Sequence, residues 1–298
     1  MKEFCFICNP SANRSRAGKD IDYIKSRISG WPDTTVFVTQ SRKELKKVTA
    51  WAAGEYEVVV ACGGDGTVSD IASEVCKEDN TDRCALGIIP IGSGNDFIKS
   101  AGIPRDLDQA LALLKRKKTR QVDLVKCNHH YFINTMGFGF DGLANRFATR
   151  IKALGGGMKY FWAAMKANMV RESFSYQLTL DDGRITRSGE AMMITLANGK
   201  VEGGSFIIAP EATLQDGRIN LIIIDPISRS ILPFYLPLFL VGKGSLLKKL
   251  HHYSARKVSL SIDNSDKPFA IHADGEEVMP YEREYTVEVL ASAIRLIC

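Results

Sequence analysis

The run Val58 to Ala61 is apolar and mostly β-branched. It stops at Cys62-Gly63-Gly64-Asp65-Gly66-Thr67, and helical spacing begins at once over Thr67–Val75. A buried strand that passes through a glycine turn straight into a helix is half of a β-α-β unit, and it leaves few folds open. The flanking sequence repeats the alternation. Lys2–Cys8 reads as a strand, Ile21–Ile28 as a helix, Thr34–Val38 as a strand, Lys43–Ala53 as a helix and Leu86–Ile89 as a strand ending at Pro90. Alternating elements with short loops predict a parallel sheet with helices on both faces.

Near residue 121 the pattern changes. Val122–Val125, Tyr131–Asn134, Ser175–Leu180, Glu190–Leu196, Arg218–Ile224, Lys257–Ile262, Phe269–His272 and Tyr285–Leu290 read as short strands, separated by turn signals such as Asp181-Asp182-Gly183. Strands at this spacing predict an antiparallel sandwich or barrel. Helical stretches at about 141–170 and 227–250 interrupt it. A length of 298 residues suits two domains, and the expected division is an α/β domain over 1–120 and a mainly antiparallel β-sandwich domain over 121–298.

Composition closes other classes. With 45% hydrophobic and 24% charged residues, the chain is neither disordered nor fibrous. A net charge of +5 is too small to point to nucleic acid, but it is compatible with anionic substrates or an anionic membrane surface. The seven cysteines include one CxxC, Cys5 and Cys8, inside an apolar run that reads as a buried strand, so reduced thiols and a cytoplasmic location are expected. No signal peptide is read at the N-terminus. The apolar segment Ile231–Val241 is too short to span a bilayer and carries two prolines.

Four loops carry the chemistry. In Gly63-Gly64-Asp65-Gly66-Thr67 the glycines allow a sharp turn and close approach of a ligand to the backbone. The amides and the helix start then form an anion site. A carboxylate inside a phosphate loop is repulsive unless a cation intervenes, so Asp65 implies Mg²⁺. The second loop, Pro90-Ile91-Gly92-Ser93-Gly94-Asn95-Asp96, ends a strand at the same side of the expected sheet, where ligands of open parallel sheets bind. Asn95 or Asp96 also suits the cap of the next helix. The third, Asn9 to Lys19, offers small, hydroxyl and basic residues after a strand, yet it is no Walker A loop. The fourth, Asp274-Gly275-Glu276, reads alone as a hairpin turn; a carboxylate there also suits proton acceptance from a hydroxyl.

Together these loops, with Val122-Asp123-Leu124, resemble the diacylglycerol kinase catalytic family, particularly its soluble bacterial lipid kinases. The resemblance runs over nearly the whole chain in the right order. It implies an ATP-binding first domain, a largely β second domain that helps form the lipid site, and an active site between them. Carried over, Gly63, Gly64, Asp65, Gly66 and Thr67 hold phosphates; Asn9, Ser11 and Thr39 lie near the nucleotide; and Gly92, Ser93, Gly94 and Asn95 complete the site. Asp65, Asp96 and Asp123 would form an acid–water–Mg²⁺ network, and Glu276 would be the general base, with Asp274 shaping its turn. Relatives often carry Thr at the place of Ser93, which keeps the hydroxyl. The loop Pro210–Gly217 matches a structural Mg²⁺ loop of related enzymes, with Asp216 as side-chain ligand and the carbonyls of Thr213 and Arg218 nearby. Gln215 stands where some relatives have another acid, and an Asp-Gly hairpin turn explains the same residues.

The expected activity is an ATP- and Mg²⁺-dependent lipid kinase, a phosphotransferase acting on a hydroxyl of diacylglycerol or a related lipid. The alternatives are a NAD kinase-like or sphingoid-base kinase, and a nucleotide sensor without turnover. Leu232–Leu240, followed by Lys243, Lys248, Lys249, Arg256 and Lys257, suits transient docking on an anionic membrane; a core helix with a solvated basic end explains it equally. The resemblance leaves room for a homodimer, and nucleic acid is not an expected partner.

Overall fold

The alternating first third forms β1 (Lys2–Cys8), α1 (Ala17–Ile28), β2 (Thr34–Val38), α2 (Arg42–Glu55), β3 (Tyr56–Gly63), α3 (Asp65–Lys77), β4 (Ala85–Pro90), α4 (Asp96–Ala101) and α5 (Leu107–Arg116), followed by β5 (Thr119–Cys127). The computed structural model describes residues 1–13, 16–77, 84–151, 156–263, 269–279 and 281–298. Arg14 and Ser15 of the first loop lie outside the described residues. The chain divides into two units, Met1–Leu124 with Ala291–Cys298, and Val125–Leu290.

In the first unit β2, β1, β3 and β4 pair in that order, all parallel. The end of the chain joins β4 in parallel through Arg295 and Leu296. Every residue of β4 is buried, as are all but one of β3, because helices cover both faces of such a sheet. Ile21, Ile24 and Ile28 of α1 recur at helical spacing and lie in the core with Phe6, Val60 and Ile89. Ser41 Oγ caps α2 by accepting Glu44 N–H, and an Asp106 carboxylate oxygen caps α5 by accepting Gln109 N–H.

The second unit contains β6 (His130–Phe132), β7 (Thr135–Gly139), α6 (Phe140–Arg150), α7 (Gly156–Val170), β8 (Phe174–Leu180), β9 (Ile185–Ala191), β10 (Met193–Ala197), β11 (Val201–Glu202), β12 (Phe206–Ile207), β13 (Ile219–Ile224), α8 (Leu232–Leu240), β14 (Leu250–Ala255), β15 (Lys257–Asp263), β16 (Ile271–Ala273) and β17 (Glu276–Glu277). The last strand, β18 (Glu284–Ile297), starts in this unit and ends in the first. One antiparallel sheet runs β14-β13-β10-β7-β16-β17, and β18, β15, β8 and β9 pair antiparallel in a second. β8 alternates buried with more exposed residues, as a sheet with one wet face must. β13 is buried on both faces: Ile219, Leu221 and Ile223 pack with Leu178, Leu260 and Val287 of the second sheet. Ile222 and Ile224 pack on the other side with Leu143, Ala167 and Leu236 of the helices. The unit is a sandwich with a helical layer on one face.

The α/β unit and the mainly antiparallel β unit are the two architectures expected. Details differ. The expected strand Glu190–Leu196 is the end of β9 and the start of β10, because Ala191-Met192-Met193 carries no Gly or Pro to mark the change of strand. α5 was not anticipated, and neither was β7, whose glycines masked a strand pattern. The boundary expected at 120/121 falls inside β5, and Ala291–Cys298 return to the first unit, so that unit is discontinuous in sequence.

Candidate active site

The first unit places four strand ends in one row. Thr39 follows β2, Asn9 follows β1, Gly63 and Gly64 close β3, and Gly92 follows β4, and these strands are neighbours in the sheet. Thr39 is buried and its N–H donates to Cys8 O at 3.0 Å. Asn9 Nδ2 donates to Thr67 Oγ1 at 3.0 Å, which ties the first loop to the opening turn of α3. Ser11 is exposed, and its N–H donates to Asn9 Oδ1 at 3.0 Å.

The two glycine loops lie against each other. Ile91 N–H and Gly92 N–H both donate to Gly63 O, at 3.2 and 3.1 Å. A Cβ on Gly92 would stand 2.3 Å from Gly64 Cα, inside van der Waals contact. Only glycine fits there, and the reason is packing rather than φ. Asn95 adopts a left-handed conformation (φ 53°) and its Nδ2 donates to Gly92 O at 2.8 Å, so its side chain closes the second loop. Ser93 is exposed and Gly94 half-buried beside it. α3 starts at Asp65, directly after the turn, so its first amides, which have no acceptor within the helix, open on this loop.

Asp65 Oδ1 accepts Phe97 N–H at 2.9 Å, bringing the first carboxylate to the start of α4, where Asp96 Oδ1 lies 2.6 Å from Lys99 Nζ. Two hard carboxylate donors thus stand beside one cradle of amides, a donor set that suits Mg²⁺. Asp123 is fully buried on β5, and its Oδ1 accepts Ser292 N–H at 2.8 Å.

In the second unit the turn between β16 and β17 is Asp274-Gly275, and Glu276 opens β17 directly after it. Asp274 is buried with φ 48°, and its carboxylate accepts Ile133, Asn134 and Thr135 N–H at 2.8, 2.9 and 3.0 Å. Three charge-assisted bonds to one loop make it an anchor. Asn145 Nδ2 holds Gly275 O at 2.8 Å. Glu276 is exposed directly after this pinned turn. Its neighbour Glu277 pairs with Arg146 at 2.6 Å, and that guanidinium holds the Glu277 carboxyl below the ordinary range.

Below the turn lies a cluster the sequence did not announce. His272 is 1% exposed; its Nε2 stands 2.6 Å from Glu202 Oε1 and 3.6 Å from Asp141 Oδ1, and Thr195 Oγ1 donates to Asp141 Oδ2 at 2.5 Å. The three acidic and imidazole groups offer donor atoms within 4.8 Å of one another. Burial disfavours the charged imidazole, but Glu202 and Asp141 outweigh it and raise the pKa well above the usual value. Gly275 N–H donates to Nδ1 at 3.4 Å. His272 thus stands between two carboxylates, which favour its charged form against burial. A Cβ on Gly137 would fall 2.2 Å from Asp141 Oδ2 and 2.5 Å from His272 Nε2, so the glycine of β7 leaves room for the cluster. Its members come from α6, β11 and β16; the sequence signal was a buried-strand histidine directly before Ala273-Asp274-Gly275.

The loop Pro210–Gly217 forms the Asp-Gly turn. Asp216 Oδ1 accepts Arg218 N–H at 3.0 Å, Gly217 has φ 66°, and Asp216 and Thr213 are exposed. The Arg218 guanidinium is spent on Ser254. His251 bonds Asp225 and His252 bonds Asn220, both as structural partners.

Residues 3–127 match the family described as diacylglycerol kinase catalytic domain, and residues 134–298 match that described as YegS C-terminal NAD kinase beta sandwich-like domain. A Yersinia enterocolitica protein named "Probable lipid kinase YegS-like" is 32% identical over 265 residues, covering 87% of this chain and 85% of that protein. The crystal structure of a diacylglycerol kinase from Bacillus anthracis superposes with a TM-score of 0.80 at 22% identity, covering 99% of this chain and 96% of that one. Yeast NADH kinase complexed with NADH superposes with a TM-score of 0.54 at 13% identity, over 99% of this chain and 82% of that one. At these identities the two structures attest the shared fold.

Proposed function

This chain belongs to the diacylglycerol kinase catalytic family, and we propose that it transfers the γ-phosphoryl group of ATP to a hydroxyl of diacylglycerol or a closely related lipid. The observation that carries the reading is the contact of Gly64 with Gly92, two phosphate-loop glycines packed so closely that no side chain fits between them. Phosphoryl transfer asks for positioning and charge neutralisation more than covalent help. The amides of the Gly64 turn and the start of α3 suit the phosphates. Asp65 and Asp96 would hold Mg²⁺, which when bound neutralises phosphate charge. Asn9, through Thr67, fixes the wall of that cradle.

Glu276 is the proposed base. The lipid hydroxyl gives its proton to the Glu276 carboxylate, its oxygen forms a bond to the γ-phosphorus, and the bond from that phosphorus to the bridging oxygen breaks. ADP leaves with the electron pair. Exposure of Glu276 beside an anchored turn supports this role, since a base must be reachable yet fixed. Asp274 and Asn145 act as positioning residues for that turn.

The test is a transfer assay with labelled ATP and Mg²⁺, offering mixed micelles of diacylglycerol, sphingoid base and, in a parallel reaction, NAD. Label in phosphatidic acid is the expected result. Label in NAD alone, or no transfer with nucleotide still bound, contradicts it.

A further inference from the structure

His272 is a buried ionisable group that the phosphoryl-transfer chemistry leaves unused. It lies on β16 beside the buried Ile271. An apolar side chain would fill that place without the cost of desolvating a polar ring. The two ring nitrogens meet different partners. Nδ1 accepts Gly275 N–H at 3.4 Å, in the turn that leads to Glu276. Nε2 faces Glu202 Oε1 at 2.6 Å and Asp141 Oδ1 at 3.6 Å. With an amide proton aimed at Nδ1, the proton of the neutral ring belongs on Nε2, toward the carboxylates. An imidazole bound to a metal through Nε2 would carry its proton on Nδ1 and donate it. Here Nδ1 is met by a donor, so the three groups act as a bracket rather than a metal centre.

The bracket closes on the turn from two sides. Asp141 and Asn145 stand four residues apart on α6 and share a face of that helix. Asp141 meets the ring, and Asn145 Nδ2 donates to Gly275 O at 2.8 Å. α6 lies directly on the chain that enters β16, where a Cβ on Gly142 would run into Ala270 O. Glu202 arrives from the other side. Asp274 accepts Asn134 N–H, Asn134 Nδ2 donates to Val201 O at 3.0 Å, and Glu202 is the next residue. Gly275, at φ 82°, has no side chain to restrain it. The peptide groups on either side of it are fixed instead, one by His272 and one by Asn145, and the second leads straight into Glu276.

We propose that His272 is a positioning residue for Glu276: Nδ1 fixes the amide of the turn, and the two carboxylates at Nε2 fix the ring. The proposal rests on the reading of Glu276 as the base of a kinase.

Two substitutions divide the ring. Asn reaches as far as Nδ1 and keeps an acceptor for Gly275 N–H, whereas Gln reaches as far as Nε2 and keeps a donor for the carboxylates. His272→Gln should lower kcat for lipid phosphorylation about tenfold, the effect of one lost hydrogen bond, with the KM for ATP unchanged. His272→Asn, the less stable of the two, should restore kcat to within about threefold of the wild type. A purely structural role predicts the opposite order. The Gln deficit should be full on the alkaline side and narrow as pH falls, because a proton on Nδ1 removes the same bond from the wild type. Glu202 and Asp141, the charged groups facing the ring among the described residues, favour that proton. Nitrogen-15 spectra of the imidazole rings need no turnover. With the His272 signals assigned by their loss in His272→Gln, the neutral ring should carry its proton on Nε2. A proton on Nδ1, a ring doubly protonated throughout the alkaline range, equal loss of kcat in the Asn and Gln variants, or a Gln variant as fast as the wild type would each overturn the proposal. If the ring spectrum is as expected but the wild type transfers no phosphate to lipid, the kinase reading is what fails, and the positioning role falls with it.

Discussion

The two candidate sites are made of different material. In the first unit the loops at the ends of β1, β2, β3 and β4 offer mainly backbone: amides at the start of α3, carbonyls bridging the loops, and two glycines in contact. In the second unit side chains do the same work. Asp274 gathers three amides, Asn145 holds Gly275, and the His272 imidazole is clamped between Glu202 and Asp141. A backbone site tolerates change in its side chains and fails when a Cβ is added. A side-chain site is the reverse, and it responds to pH.

The largest effect that sharpens this contrast is expected at His272. Removing one member of a buried ion cluster leaves uncompensated charge, so His272→Asn should cost about 3 kcal/mol of stability in the second unit. Because the folded pKa lies above the unfolded value near 6.5, the stabilisation is fully present below that value and is lost as pH rises through the folded pKa. Thermal unfolding across a pH series should show the wild type losing this advantage on the alkaline side. The variant should lack that dependence, and parallel pH profiles would break the contrast.

A smaller effect is expected at Asn9. Its bond to Thr67 is one neutral hydrogen bond in a site held mainly by backbone, so Asn9→Ala should cost about 1 kcal/mol in nucleotide affinity by calorimetry. A loss several times larger would show that the first site depends on side chains after all.

The same contrast explains what was legible. The phosphate loops could be read because each is a contiguous motif at the end of an apolar run, as in Val58 through Thr67. The parallel sheet followed from the alternation of elements; its order did not. The His272 cluster could not be read, because Asp141, Glu202 and His272 are separated in sequence and meet only when β7, β10 and β16 lie side by side. β7 hid behind Gly137 and Gly139, whose lack of side chains makes space for the cluster and for Phe174. β9 and β10 merged into one expected strand because the turn between them is as apolar as they are. α8 was legible only as an ambiguity; Leu232, Leu236 and Phe239 are buried in the core of the second unit and Phe234 is exposed.

The central claim is a division of labour, with nucleotide held by the glycine loops of the first unit and the proton taken by Glu276 of the second. The direct test measures ATP affinity and lipid phosphorylation side by side in Gly92→Val and Glu276→Gln. Gly92→Val forces a branched side chain into Gly64 and should abolish ATP binding and turnover together. Glu276→Gln should bind ATP as the wild type does while turnover falls by roughly 10²–10⁴. If Glu276→Gln phosphorylates lipid at the wild-type rate, or if Gly92→Val binds ATP normally, the account is wrong.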